Sequence, residues 1–135
     1  MALSLAVPGR EKIPPGARAL FAWAFAEVVS AFPGARSLHA SSDALGPFAI
    51  WAAPAAPVLA KTRCLAIEAS RPAARLVDLD VYSPEGGSID RASLHLPARA
   101  CLCCEAPARD CIRLGRHGPH ALEARARALL AGGPA

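Results

Sequence analysis

RLVDLDVYSPEGGSI, the stretch from Arg75 to Ile89, decides the fold class. From Arg75 to Tyr82 it reads as a strand, because Val77, Leu79 and Val81 alternate with Asp78 and Asp80. Alternate side chains of a strand share a face, so one face is apolar and the other carries both acids. Pro84-Glu85-Gly86-Gly87 is turn chemistry and brings the chain back towards Ile89. A half-polar strand followed by a tight return points to a small mixed or antiparallel sheet with one face on a core.

Working outward, Leu3 to Pro8 reads as a short strand that ends in the turn signal Pro8-Gly9. Pro14-Pro15 opens a helix that Pro33-Gly34 closes. Within it Leu20, Phe21, Trp23, Phe25, Val28 and Phe32 follow helical spacing and read as core. Arg36 to Ser42 and Phe48 to Ala53 form two strands around a turn at Asp43 to Pro47. Val58 to Ala69 fits an amphipathic helix ended by Pro72, and Pro119 to Ala131 a closing helix rich in Ala, Leu and Arg. Strands and helices mix without regular alternation, which predicts an α+β fold. The expectation is one domain over residues 1–135, with a small mixed or antiparallel sheet, packed helices and a Cys/His-rich segment at 98–120.

The chain has 135 residues, enough for one domain with a buried core. It is 53% hydrophobic, with much of that share alanine, so small side chains build the core. The net charge of +4 is carried by arginine, which suits planar recognition of phosphates. Nucleic acid, a phosphorylated coenzyme and an acidic carrier protein all satisfy that charge. No stretch approaches the roughly 20 apolar residues of a membrane helix. The first residues lack a basic segment followed by an apolar run and cleavage site, which argues against secretion.

Asp78 and Asp80 lie roughly 6.6 Å apart along one strand face. Two such carboxylates repel unless solvent screens them or a cation sits between them. A Mg²⁺ ion with waters and substrate phosphates in its shell fits the pair, and phosphoryl and nucleotidyl transfer uses such a metal to neutralise developing charge. The competing reading is a solvated strand face. Glu68 and Arg75 lie close in sequence and could complete a metal and phosphate site.

Four of the five cysteines crowd between Cys101 and Cys111. Cys101, Cys104, Cys111 and His117 spell C-x2-C-x6-C-x5-H, a donor set for a closed tetrahedral structural Zn²⁺. Cys103 adds a neighbouring thiol, His120 competes as fourth ligand, and Arg99 and Arg109 could favour thiolates. Free thiols and a redox pair are the alternatives.

With these residues in view, the chain resembles the apo-citrate lyase phosphoribosyl-dephospho-CoA transferases from about Ser4 to Ala131. The strongest block is RPAARLVDLDVYSPEGGSIDRASLHLPARACLCCEAPARDCIRLGRH, Arg71 to His117. It is similar to the family's Pro-Leu-Gly-Arg-Leu-x-Asp-Ile-Asp-Val strand, its Ser-Arg turn and its Pro-x-Arg-x-Cys-Leu-x-Cys segment. VPGREK, Val7 to Lys12, is similar to the family's Pro-Gly-x-x-Lys turn, and Lys61 and Glu68 fall on its Lys and Glu positions. The resemblance implies transfer of phosphoribosyl-dephospho-CoA from a triphosphoribosyl-dephospho-CoA precursor to a serine of the acyl carrier (gamma) subunit of citrate lyase, with release of pyrophosphate. It implies Asp78 and Asp80 on Mg²⁺, Arg75, Lys12 and Lys61 on phosphate oxygens, Glu68 as base or holder of a metal water, and Arg91 and Arg99 on pyrophosphate or the acidic carrier.

This chain departs from the pattern at three places. The family carries several dozen residues ahead of its first strand, with an Arg/Gln-bearing segment, whereas this chain starts almost at that strand. If the segment binds substrate, the expectation is weakened activity, no activity, or a start codon placed too late. Its Gly before the motif arginine is Ala74 here, which would disfavour a positive-φ turn. Its turn serine is Asp90, a negative charge beside Arg91. Two other functions compete: priming the carrier of a related lyase or decarboxylase, and a zinc-stabilised module that binds nucleic acid or protein without catalysis. The last lacks the aromatic and basic strand pattern that stacks bases, so no nucleic-acid partner is expected.

Overall fold

Val77, Leu79 and Val81 are buried while Asp80 and Tyr82 are exposed, so the alternation read from the sequence is the alternation of the folded strand. The computed structural model describes residues 1–132. In chain order the strands are β1 (Ala2–Leu5), β2 (Arg36–Asp43), β3 (Gly46–Ala52), β4 (Val77–Tyr82) and β5 (Ser88–Ile89). The α-helices are α1 (Ala17–Ala31), α2 (Pro57–Ala69), α3 (Ala108–Leu114) and α4 (Pro119–Ala131). The described strands form one sheet in the order β2-β3-β1-β4-β5, with every pairing antiparallel. The α+β expectation therefore resolves to an antiparallel sheet.

Leu3, at the centre of β1, lies opposite both Ala49 and Leu79, and these three residues are fully buried. α1 covers this face with Ala17, Leu20, Ala24 and Val28, spaced three and four apart. Phe25 meets Trp51 with ring centroids 4.9 Å apart, so the aromatics of this helix serve the core. The opposite face of the sheet carries Ser4, Asp78 and Asp80, with no helix stripe to bury them.

The helix start lies later than Pro14-Pro15. Gly16 precedes α1 at φ +88°, a conformation that L side chains rarely adopt, and a Cβ there would stand 3.0 Å from the Leu130 carbonyl oxygen of α4. β1 also ends early, at Leu5, although the Ala6 amide still donates to the Leu76 carbonyl at 2.8 Å.

β4 starts at Val77, two residues after the expected Arg75. Pro72 to Leu76 form a 3₁₀ turn instead, with Ala73, Ala74 and Leu76 buried. Pro72 sets φ for its first turn, and the Ala74 amide donates to the Arg71 carbonyl at 3.1 Å. Ala74 keeps negative φ, since His95 is the one described non-glycine residue with positive φ. The alanine therefore costs nothing at this turn. α3 has no counterpart in the sequence reading. Among the described residues no helix is long and apolar enough to cross a membrane.

Candidate active site and metal cluster

Asp78 and Asp80 project from the same face of β4, and their charges reach each other. The Asp80 carboxyl titrates above its ordinary value through partial burial first and then through the negative charge of Asp78, with Lys61 and Arg99 opposing. Asp78 has a cationic partner, Arg99, at 3.4 Å. Asp80 forms no ion pair among the described residues. This pair thus keeps negative charge that a divalent cation would relieve. Glu68 does not converge with the two aspartates into a three-carboxylate cluster.

Glu68 and Lys61 come from α2 and meet the backbone of β4. β5 pairs only with Val81 and Tyr82, which leaves the outward amide and carbonyl of Leu79 without a strand partner. Glu68 Oε1 accepts from the Leu79 amide at 2.8 Å, and Lys61 Nζ donates to the Leu79 carbonyl at 2.7 Å. Lys61 is 7% exposed, so its ammonium is committed to this carbonyl rather than turned to an open cleft. Burial pushes the Glu68 carboxyl up, against the Leu79 bond and the charges of Arg99 and Lys61.

A cleft of about 510 Å³ opens beside these groups, lined by Glu68, Arg71, Arg75, Arg91, Arg99 and Glu105 among others. Four arginines around one cavity give it the positive charge that an anion would need. The sequence reading named Arg75, Arg91 and Arg99 but missed Arg71 and Glu105. Arg71 opens the block that carries the family resemblance, which was a usable signal. Its guanidinium lies over the Trp23 ring at 4.5 Å.

Arg99 is the brace of the site. Its Nη2 donates to the carbonyls of Arg75 and Val77 at 2.7 and 2.8 Å, while its Nη1 faces Asp78. Arg75 in turn donates from Nη2 to the Cys101 carbonyl at 2.5 Å. Arg91 donates from Nε to the Pro97 carbonyl. Beside it, Asp90 accepts from the Ser93 amide and hydroxyl, both at 2.9 Å, which holds its carboxyl below the usual range. The departure at Asp90 therefore caps a turn. Lys12 donates to the Val7 carbonyl at 2.9 Å and packs near Gly46, away from the residues that line the cleft.

The cysteine segment folds as a knuckle. The Cys101 amide donates to the Ala106 carbonyl at 2.7 Å and the Ala108 amide to the Arg99 carbonyl at 2.9 Å, so residues 101–106 form a tight loop. α3 then supplies Cys111, and Gly115 turns the chain so that His117 returns to the loop. The ligand atoms of Cys101, Cys104, Cys111 and His117 all lie within 4.8 Å of one another. Cys104 Sγ stands 3.5 Å from Cys111 Sγ and 3.3 Å from His117 Nε2. A tetrahedral zinc with bonds near 2.3 Å needs sulfurs about 3.8 Å apart, close to this spacing. Cys103 points its thiol to the Ala121 carbonyl of α4, and His120 stays outside the group, which selects His117 over the alternative ligand. The Cys111 thiol is pushed up to about 11 by burial and then by Cys104 and Cys101, the mark of crowded sulfurs. Arg109 is exposed and forms no part of the cluster.

Residues 1–132 match the family described as apo-citrate lyase phosphoribosyl-dephospho-CoA transferase. A relative of that name from Citrobacter koseri is 38% identical over 95 residues, covering 70% of this chain and 52% of its own. A probable transferase of the same kind from Vibrio cholerae is 42% identical over 78 residues, 58% of this chain and 43% of its own. An Escherichia coli relative is 42% identical over 70 residues, 52% of this chain and 38% of its own. The chain spans about half the length of the curated relatives it matches.

Proposed function

Since this chain belongs to the apo-citrate lyase phosphoribosyl-dephospho-CoA transferase family, we propose that it transfers phosphoribosyl-dephospho-CoA to a serine of the citrate lyase acyl carrier subunit. The donor is the triphosphoribosyl derivative of dephospho-CoA and the leaving group is pyrophosphate. The observation that carries this reading is one strand, β4, with Asp78 and Asp80 on one face and with Asp78 paired to Arg99, which lines an arginine-rich cleft.

The serine oxygen attacks the phosphorus nearest the ribose. A phosphodiester forms as the adjacent phosphoanhydride bond breaks, and the electron pair of that bond leaves with pyrophosphate. Glu68 takes the hydroxyl proton: burial makes its carboxylate more basic than an exposed one, and its Oε1 is anchored on Leu79. Arg75, Arg91 and Arg71 line the cleft and neutralise phosphate oxygens, where charge builds in a loose transition state. Arg99 holds Asp78 in place. Lys61 acts through Leu79, and Lys12 belongs to the neighbouring loop, so both shape the site from outside it.

Asp78 and Asp80 would hold Mg²⁺, since the pair keeps uncompensated negative charge. When bound, that ion supplies charge neutralisation and alignment of the polyphosphate. Cys101, Cys104, Cys111 and His117 would hold a structural Zn²⁺, with four protein ligands and no open position for chemistry. The donor coenzyme and the carrier put this reaction in the cytoplasm.

Intact-mass spectrometry of the apo-carrier after incubation with the protein, Mg²⁺ and the triphosphoribosyl donor tests the reading. The expected result is a carrier heavier by one phosphoribosyl-dephospho-CoA and an equal amount of pyrophosphate. A carrier of unchanged mass, with the donor intact, refutes it.

A further inference from the structure

Arg75 and Arg99 line two cavities at once: the charged cleft and a second one of about 500 Å³. The second lies against the cysteine knuckle, and its walls are largely apolar, with Val7, Leu102, Ile112 and Leu122 among them. Ile112 is the telling member. It sits on α3 at 79% exposure, directly after buried Cys111, and it lines the cleft while making no part of the core. An aliphatic side chain of that size gains only when something covers it. A cavity of this volume with apolar walls and a charged rim has the dimensions of a small-molecule site.

We propose that this second cleft binds the dephospho-CoA arm of the donor, while the arginine cleft holds its triphosphate. The assignment rests on the functional reading above and adds to it the seat of the coenzyme. Its basis is complementarity: one ligand has a triphosphate end and an arm of adenine, a diphosphate and uncharged pantetheine. Two adjoining cavities share an arginine wall that can meet the diphosphate while the apolar walls meet the adenine and pantetheine. Arg75 and Arg99 then stand where the two halves of the ligand join. Arg91 lines only the charged cleft and Ile112 only the apolar one, so the two halves can be tested separately.

The experiment titrates the full chain with two probes, dephospho-CoA alone and inorganic tripolyphosphate with Mg²⁺, by calorimetry. Ile112→Glu puts a charge in the apolar cleft from an exposed position, so the fold is retained. It should weaken dephospho-CoA binding about tenfold or more, one lost aliphatic contact plus a desolvated charge, and leave tripolyphosphate within about twofold. Arg91→Gln should do the reverse. Ile112→Ala should weaken dephospho-CoA by about threefold and guards against an effect peculiar to the new charge. Unchanged dephospho-CoA affinity in both Ile112 variants overturns the seat of the coenzyme. If tripolyphosphate still responds to Arg91→Gln in that case, the transferase reading stands without it. Wild-type protein that binds neither probe overturns both. Sedimentation of the same samples adds one more outcome: a dimer dissociated by Ile112→Glu with coenzyme binding intact would assign the cleft to a second copy of the chain and overturn the proposal.

Discussion

Arg99 stands 3.4 Å from Asp78 and at the same time holds the carbonyls of Arg75 and Val77. The knuckle that carries Cys101 is thereby tied to the start of the strand that carries the aspartates. An ion pair with side chains 34% and 41% exposed is screened by water, so its worth lies in geometry more than in stability.

Asp78→Asn and Asp80→Asn should each lower transfer by on the order of 10²-fold or more, the usual cost of removing a charge-stabilising group. Unfolding free energy should move by no more than about 1 kcal/mol in either variant. Carrier mass and urea melts measure the two effects. Full turnover in both variants would remove the metal role of the pair.

Lys61→Met should act on the fold. It leaves the Leu79 carbonyl without its donor in a buried place, at a cost of about 1–3 kcal/mol. Denaturant unfolding reads this directly. A variant as stable as the parent but with weakened tripolyphosphate binding would instead return Lys61 to the phosphate site.

Glu68 sets a pH dependence. Its folded value lies above the ordinary 4.5, so the folded state binds its proton more readily than the unfolded chain does. Its contribution to stability is fully present below 4.5 and is lost as pH rises through the raised folded value. Glu68→Gln should flatten that decline in unfolding free energy measured from about pH 4 to about pH 8. The transfer rate of the parent should fall on the acid side, where the base is protonated. Equal pH slopes for the two proteins would show that Glu68 is not the titrating group.

Elemental analysis should find about one zinc per chain, and chelation should lower the melting temperature. With free zinc a hundredfold above its Kd, linkage gives about 2.7 kcal/mol of stability. Cys104→Ser should abolish retention, whereas Cys103→Ser and His120→Ala should bind as the parent does. Protein stripped of metal and melting unchanged would refute a structural zinc.

The strand with Asp78 and Asp80 was legible because alternation survives in any half-buried strand. α1 and α2 were legible within a few residues because prolines mark their surroundings, and the meeting of Cys101, Cys104, Cys111 and His117 because their spacing suits a tight loop, one short helix and the turn after it. What the sequence withheld depends on distant partners. Lys61 looks like a phosphate ligand until β4 supplies the Leu79 carbonyl that takes its ammonium, and nothing local to Glu68 announces the Leu79 amide that anchors it. Arg75 reads as part of a strand until Pro72 and the buried Ala73 and Ala74 wind that stretch into a 3₁₀ turn. The charged cleft collects residues from α2, the 3₁₀ turn and the knuckle, and no local pattern announces such a meeting.

The two margins of the sheet are unequal. β2 presents eight exposed residues along one side, free to template another strand. On the other side β5 is two residues long, and beyond it helix side chains already satisfy Leu79. Fibrous growth or strand exchange would therefore start at the β2 margin, on the side of the sheet away from Asp78 and Asp80.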